Sequence, residues 1–191
     1  MSSKLNTVVL AGSTSQPSRS LALAHAILET LDGALRLDSR IVTLADIARS
    51  TGSALYRPEL PAEAEATLQA IESADLLVVS TPVFRGSLPG QLKHLLDLVG
   101  QDAFVNTPVL LAATGGSDRH ALVIDHQLRP LFSFFQALTL PIGIYGSDSD
   151  FTDYKISNPS LQARISLAVE LALPWFPAHR RDQAAASLRV A

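Results

Sequence analysis

A loop rich in hydroxyl side chains follows the first apolar run of the chain. Segment 12–20 reads GSTSQPSRS and leads directly into a predicted helix. Serine hydroxyls, one arginine and the free N–H groups at the start of a helix together suit a single phosphate monoester. Serine and threonine are also common helix caps, so an ordinary turn and cap is the alternative interpretation. The candidate phosphate ligands are Ser13, Ser18, Arg19 and Ser20.

A second candidate loop follows a buried apolar run and carries an aromatic residue between proline and glycine. Segment 80–90 reads STPVFRGSLPG. Proline and glycine favour a turn with exposed backbone N–H groups, and Phe84 could add a flat apolar surface beside them. Such a surface suits a planar heterocycle, while a plain turn with Phe84 in the core is equally compatible with this loop alone. The candidate ring-binding residues are Pro82, Val83, Phe84, Arg85, Gly86 and Ser87.

A third candidate loop contains two adjacent glycines. Segment 112–118 reads AATGGSD and follows another apolar run. Adjacent glycines let the backbone approach a ligand closely, and their N–H groups can point at the carbonyl oxygens of a ring. A glycine pair is also common in a plain turn, which is the alternative here. The candidate residues are Thr114, Gly115, Gly116 and Ser117.

Other ligand classes are disfavoured by motifs that the sequence lacks. A dinucleotide fingerprint needs Gly-x-Gly-x-x-Gly after the first strand, where only Gly12 is present, and no Gly-Lys-Ser or Gly-Lys-Thr triplet marks a P-loop. The chain has no cysteine, which excludes thiol nucleophiles and disulfides. The spacing of the five histidines does not support a metal site, so no metal is expected.

Apolar runs predict the strands that position these loops. The runs at 7–11, 75–80 and 108–113 show no polar alternation, which is typical of strands buried on both faces of a parallel sheet. Weaker strand patterns occupy 35–44 and 138–145. The last of these contains a proline, which suits the edge of a sheet better than its centre.

Helical patterns lie between the predicted strands. They cover 18–31, 62–74, 92–99, 117–137 and 159–173, with a kink or local widening expected at Pro130. The alternation predicts an α/β fold, a flavodoxin-like doubly wound sandwich with a five-stranded parallel sheet of order 2-1-3-4-5. In that order the loops after strands 1, 3 and 4 meet at the topological switch point. The three candidate loops therefore converge on one site, for which a phosphorylated heterocycle is the favoured ligand.

The composition is that of an ordinary globular domain. The chain has 191 residues, of which 47% are hydrophobic and 17% charged, and its formal net charge is −3. We expect one domain over 1–177 and a C-terminal tail over 178–191. The charge disfavours nucleic acid as a partner, and no apolar stretch is long enough to span a membrane. Because the N-terminus also lacks the pattern of a secretory signal, a cytoplasmic protein is expected.

Three motifs of the chain resemble the NAD(P)H-dependent FMN reductase family. They are GS…PSRS at 12–20, TPVFRGSLPGQLK…LDL at 81–98 and ATGG at 113–116. Within the family the chain is most similar to the flavin reductases of two-component alkanesulfonate and methanesulfonate monooxygenase systems. The resemblance implies FMN as the cofactor, NADH or NADPH as the hydride donor, and FMNH2 as a product delivered to a partner monooxygenase. It also implies that the first loop binds the phosphate and the other two loops bind the isoalloxazine ring.

The resemblance indicates which kind of mechanism to expect, and two functions other than FMN reductase remain as alternatives. Hydride passes directly between two cofactors in such a reductase, so no catalytic side chain is expected. A flavodoxin-type electron carrier is one alternative. An FMN-bound quinone or azo reductase is the other.

The predicted helix 117–137 bears on the oligomeric state. Its apolar residues spread around more of the circumference than a single sheet-facing stripe requires. Together with the family resemblance, this favours a homotetramer built as a dimer of dimers. A kinked and fully buried helix in a monomer is the alternative.

Overall fold

A parallel β-sheet forms the centre of the fold. The computed structural model describes residues 4–181 of the chain. The strands of the sheet are β1 Leu5–Ala11, β2 Leu37–Thr43, β3 Leu76–Pro82, β4 Pro108–Gly115, β5 Leu138–Thr139 and β6 Ile144–Ser147. They pair in the order β2-β1-β3-β4-β5, and β6 also pairs with β4. The predicted α/β fold of flavodoxin-like order 2-1-3-4-5 is therefore confirmed.

The outer strand predicted at 138–145 is divided into two short strands. The first, β5, pairs with the start of β4, and β6 pairs with its end. Pro141 lies between them and has no backbone N–H to donate to a ladder. The guanidinium of Arg129 donates hydrogen bonds of 2.9 Å to the carbonyl oxygens of Leu140 and Pro141. An arginine side chain thus satisfies the carbonyls at the break, and the sheet has six strands rather than five.

Helices cover both faces of the sheet. They are α1 Arg19–Ala34, α2 Leu44–Thr51, α3 Ala62–Glu72, α4 Gly90–Asp97, α5 Arg129–Phe134 and α6 Pro159–Ala172. Side chains alternate along β1, so that Val8 and Leu10 pack with α2 to α5 while Val9 packs with α1 and α6. The predicted burial of the central strands on both faces is confirmed, because all three residues are at most 1% exposed.

The continuous helix predicted at 117–137 is wrong. The chain instead forms a 3-10 turn at Asp118–His120, a π-helical turn at Ile124–Leu128 and then α5. Pro130 has no N–H to donate, so a regular α-helical hydrogen-bond ladder cannot run through it. The widened turn lies directly before this proline, which agrees with the local widening expected there.

The sequence patterns miss two elements of the fold. The missed elements are α2 and a hairpin of β7 Phe151–Thr152 and β8 Lys155–Ile156. Near the C-terminus, Arg180 forms an antiparallel bridge with Leu35, and Arg181 pairs with Asp32 at 2.8 Å. The first residues of the predicted tail are thus held against the end of α1, and the others lie outside the described residues. Within 4–181, no helix has the length and apolar character needed to cross a membrane.

Candidate active site

A pocket of about 310 Å³ opens at the carboxyl ends of β1, β3 and β4. Parallel strands end at the same edge of a sheet, which is why the three candidate loops meet there. The predicted site residues that line the pocket are Ser13, Ser18, Arg19, Ser20, Pro82, Val83, Phe84, Thr114, Gly115 and Gly116. Ser15 and Pro17 of the first loop also line it. The other predicted residues, Arg85, Gly86, Ser87 and Ser117, lie beside the pocket rather than in its lining.

The loop between β1 and α1 forms the hydroxyl-rich end of the pocket. Ser18 is the N-cap of α1, and its Oγ accepts a hydrogen bond of 3.2 Å from the backbone N–H of Leu21. The Ser13 hydroxyl accepts a bond of 3.1 Å from the backbone N–H two residues later. Ser20 is buried, and its carbonyl oxygen accepts a bond of 2.8 Å from the Ser80 hydroxyl on β3. The cap predicted for this loop is therefore present.

Arg19 is the cation at this end of the pocket. Its Nη1 lies 3.1 Å from Oδ1 of Asp148, and its guanidinium carbon lies 5.9 Å from the centre of the Tyr154 ring. Both partners also line the pocket. The side chains of Arg19 and Asp148 are 41% and 50% exposed, so water screens this ion pair. The Arg19 guanidinium can therefore exchange Asp148 for another partner with little loss of free energy.

The loop after β3 makes a tight turn beside the pocket. Phe84 and Ser87 exchange two backbone hydrogen bonds of 2.7 and 3.0 Å. Between them, Arg85 and Gly86 have φ angles of 52° and 83°. Two positive φ angles at the centre of a two-residue hairpin are typical of a type I′ turn. Arg85 and Gly86 thus form the turn, while Phe84, which is 44% exposed, contributes its ring to the pocket.

Gln127, in the π-helical turn, fastens this hairpin. Its Nε2 donates a hydrogen bond of 3.1 Å to the carbonyl oxygen of Gly86, and its Oε1 accepts one from the Ser87 hydroxyl. The backbone N–H of Val83 donates to the carbonyl oxygen of Thr114 at 2.7 Å, which ties the same loop to β4. Sequence reasoning missed Gln127, because no local pattern connects it to a turn so distant along the chain.

The glycine pair at the end of β4 lies against Tyr145. The Tyr145 hydroxyl donates a hydrogen bond of 2.6 Å to the carbonyl oxygen of Ser117. A side chain at Gly115 would overlap that hydroxyl, whereas nothing lies within 4 Å of the position a Cβ would take at Gly116. Burial, reinforced by the negative charge of nearby aspartates, raises the pKa of Tyr145 to about 12. Tyr145 therefore stays protonated at neutral pH, and Ser117 anchors the turn through its carbonyl.

Asp148 and Tyr154 line the pocket from outside the three predicted loops. Asp148 follows β6, and the rule that ligands gather at the carboxyl ends of parallel strands would have indicated it had β6 been recognised. Tyr154 lies in the turn between β7 and β8 with a φ of 59°. No sequence signal marks Tyr154 as a turn residue, because bulky residues are uncommon at positive φ.

Across 4–181, no three His, Asp or Glu side chains form a group that could hold a metal ion.

Comparison with known proteins decides the family. The family model described as NADPH-dependent FMN reductase matches residues 5–152, a range that contains the three candidate loops. The chain belongs to this family. It is 61% identical to the NADH-dependent FMN reductase SfnF of Pseudomonas fluorescens, over 94% of this chain and 96% of that protein. It is 56% identical to the FMN reductase (NADPH) of Pseudomonas aeruginosa, over 92% and 95%.

A solved structure agrees with this membership. An oxidoreductase from Corynebacterium diphtheriae superposes with a TM-score of 0.79 at 30% identity, covering 90% of this chain and 97% of that chain. As a member of the FMN reductase family, the chain is an oxidoreductase that uses NAD(P)H and FMN. The predicted family, enzyme class and pair of cofactors are therefore confirmed.

Proposed function

We propose that FMN binds in this pocket, with its phosphate at loop 12–20 and its isoalloxazine ring between the turns at 82–87 and 114–117. The observation that carries the proposal is that one pocket has groups suited to a phosphate at one end and groups suited to a flat ring at the other. At one end, Arg19 and the first N–H groups of α1 suit a phosphate dianion. At the other end, Phe84 offers a flat apolar surface, and Gly116 lets a ring approach the backbone.

We infer that the protein positions the two cofactors and supplies no acid or base. The transfer of hydride from NAD(P)H to FMN would be chemistry that the two cofactors supply themselves when bound. The ionisable side chains that line the pocket are Arg19, Asp148 and Tyr154. Tyr145 beside the glycine pair keeps its proton and directs it to a backbone carbonyl, since its pKa is raised to about 12. The remaining groups can bind, orient and exclude water, and the backbone N–H of Gly116 can donate to a ring oxygen.

We further infer that the reduced flavin is released to a sulfonate monooxygenase. The motif at 81–98 resembles the flavin reductases of two-component systems, which supports this role. The homotetramer and the cytoplasmic location expected from the sequence stay predictions.

The phosphate site is tested by comparing FMN with riboflavin, which lacks the phosphate. We expect riboflavin to bind more weakly, by flavin fluorescence titration of the purified protein. Arg19→Ala should weaken FMN binding by about 1.5 kcal/mol, roughly tenfold, at the low end for hydrogen bonds to charged groups because the guanidinium is partly exposed. Arg40→Ala, which removes an exposed cation from β2, is the matched control and should leave the affinity unchanged. Equal affinities for FMN and riboflavin would falsify the placement of the phosphate.

The delivery of reduced flavin is tested by reconstitution. The purified protein is mixed with a methanesulfonate monooxygenase, NADH or NADPH, FMN and methanesulfonate, and the sulfite formed is measured. We expect sulfite formation that requires the protein and rises with added FMN. Oxidation of the nicotinamide that does not respond to added free FMN would instead favour a retained flavin, as in an electron carrier or a quinone reductase.

A further inference from the structure

A carboxylate lies at the end of the pocket that is proposed to bind a phosphate. Asp148 lines the pocket, and its Oδ1 is 3.1 Å from Nη1 of Arg19. Arg19 is also the cation that a phosphate in loop 12–20 would contact. A phosphate bound to Arg19 and the Asp148 carboxylate would be two negative charges beside the same guanidinium, and they would repel each other.

The turn that carries Asp148 is held in place. Its neighbour Asp150 accepts hydrogen bonds of 2.7 and 3.0 Å from the backbone N–H and the hydroxyl of Ser147. Asp150 also accepts one of 2.5 Å from Nδ2 of Asn158, the N-cap of α6. These bonds fix the backbone on both sides of Asp148. The backbone of the turn therefore places the Asp148 carboxylate at the end of the pocket beside Arg19.

The ring of Tyr154 lies on another side of the Arg19 guanidinium. The ring lies beneath the guanidinium at 5.9 Å, and it is presented by the turn of the β7–β8 hairpin. Arg19 thus lies between a carboxylate and an aromatic ring that both line the pocket. A phosphate that binds Arg19 must either displace Asp148 from the guanidinium or share the guanidinium with it.

We propose that Asp148 is an internal competitor for the FMN phosphate, which weakens the binding of FMN and speeds its release. The inference rests on the proposed function, because it takes the phosphate to lie at Arg19. An enzyme that hands its flavin to another protein needs a flavin that dissociates. Asp148 supplies that property through charge alone, and the ring-binding loops remain unchanged.

The opposite role for Asp148 makes the opposite prediction. If Asp148 served only to orient Arg19 toward the phosphate, its removal would weaken FMN binding. If Asp148 competes with the phosphate, its removal strengthens FMN binding. In the second case riboflavin is unaffected, because it has no phosphate to compete with. The sign of the change for FMN, set against no change for riboflavin, therefore separates the two roles.

The test uses Asp148→Asn, which keeps the shape of the side chain and removes its charge. Flavin fluorescence titrations at an ionic strength of about 0.1 M should show FMN binding tightened by about three- to tenfold and riboflavin binding unchanged. Stopped-flow dissociation of FMN should slow by a similar factor. Asp148→Ala should act in the same direction, which guards against an effect peculiar to the amide.

Asp32→Asn is the matched control. Asp32 is also the exposed half of an arginine ion pair, with Arg181 at 2.8 Å, so the variant changes the net charge equally. It lies thirteen residues beyond Arg19 on α1, roughly 20 Å away along the helix, which exceeds the Debye length in buffer. FMN affinity should be unchanged in this variant.

The possible outcomes separate this inference from the function on which it rests. Wild-type protein that binds riboflavin as tightly as FMN would overturn the proposed phosphate site itself. Wild-type protein that prefers FMN, together with an Asp148→Asn variant that binds FMN equally or more weakly, would overturn only the role of Asp148. If FMN binding tightened equally in Asp32→Asn, the effect would come from the change in net charge alone. That result would also overturn the proposed role of Asp148.

Discussion

Gly115 and Gly116 are neighbours in the sequence, yet a side chain would meet different surroundings at each. At Gly115 it would overlap the Tyr145 hydroxyl, and at Gly116 it would enter open space in the pocket lining. We expect Gly115→Val to lower the free energy of unfolding by about 1–3 kcal/mol, because Tyr145 must move. Gly116→Val should leave the melting temperature unchanged and weaken FMN binding at least tenfold, since it fills the space proposed for the ring. Thermal unfolding and flavin titration measure the two effects.

A third glycine supplies the control for this pair. Gly33, near the end of α1, also has nothing within 4 Å of the position of an added Cβ, and it does not line the pocket. Gly33→Val should leave FMN affinity unchanged. Unaltered FMN binding by Gly116→Val would show that the isoalloxazine ring does not lie over this turn.

The pocket residues that sequence reasoning found are those whose local composition carries the signal. Ser18 and Arg19 stand in a hydroxyl-rich loop directly before a helix, and a helix start needs such a cap whether or not a ligand binds. Asp148 and Tyr154 could not be found in this way. Asp148 follows a four-residue strand, and Tyr154 occupies a hairpin turn that its bulk disfavours. Both positions depend on tertiary packing and not on a local pattern.

The π-helical turn Ile124–Leu128 and the hairpin 84–87 act together through one side chain. Gln127 bonds both the Gly86 carbonyl and the Ser87 hydroxyl, and the same hairpin carries Phe84 into the pocket. We expect Gln127→Ala to weaken FMN binding by about three- to tenfold, because the loss of two partly exposed hydrogen bonds loosens the turn. The melting temperature should change little. Flavin titration and thermal unfolding of the variant give the two values.

Gln101→Ala is the control for this variant, because Gln101 is an exposed glutamine in the loop before β4. Its FMN affinity should equal that of the wild type. A Gln127→Ala variant with wild-type affinity would mean that the hairpin holds its shape through its own backbone bonds. A large fall in its melting temperature would mean that Gln127 supports the fold as a whole.

Element boundaries follow from the sequence wherever one periodicity runs without a break. The runs that became β1, β3 and β4 were found because residues buried on both faces are apolar without alternation. Segments 117–137 and 138–145 were predicted as single elements and are divided in the structure. A proline breaks each of them: Pro130 interrupts the helical ladder, and Pro141 interrupts the sheet. The pattern of apolar residues reports burial in such segments but not backbone continuity.

For the molecule as a whole, strand order could be predicted because few orders satisfy alternating strands and helices with right-handed crossovers. The oligomeric state could not be predicted in the same way. The apolar residues of the predicted helix 117–137 are divided between the core and the surface. Phe135 is 4% exposed and packs edge-on against Phe104 at 5.3 Å, while Phe134 and Leu122 are 63% and 62% exposed. Only the exposed residues remain available for contact with another subunit.

The exposed aromatic side chain of Phe134 gives the test of assembly. We expect light scattering of the wild type at micromolar concentration to give four times the chain mass of 20.4 kDa. Phe134→Glu should lower that mass without unfolding the protein, because a charge at a subunit contact cannot be buried without a partner. Phe135→Ala should instead destabilise the fold by about 3–5 kcal/mol, since it leaves a cavity in an aromatic cluster.

Leu55→Glu, at a residue that is 76% exposed, is the control for Phe134→Glu and should leave the mass unchanged. A wild-type mass of 20.4 kDa would contradict the tetramer, and a tetramer that persists in Phe134→Glu would place the subunit contact on another surface.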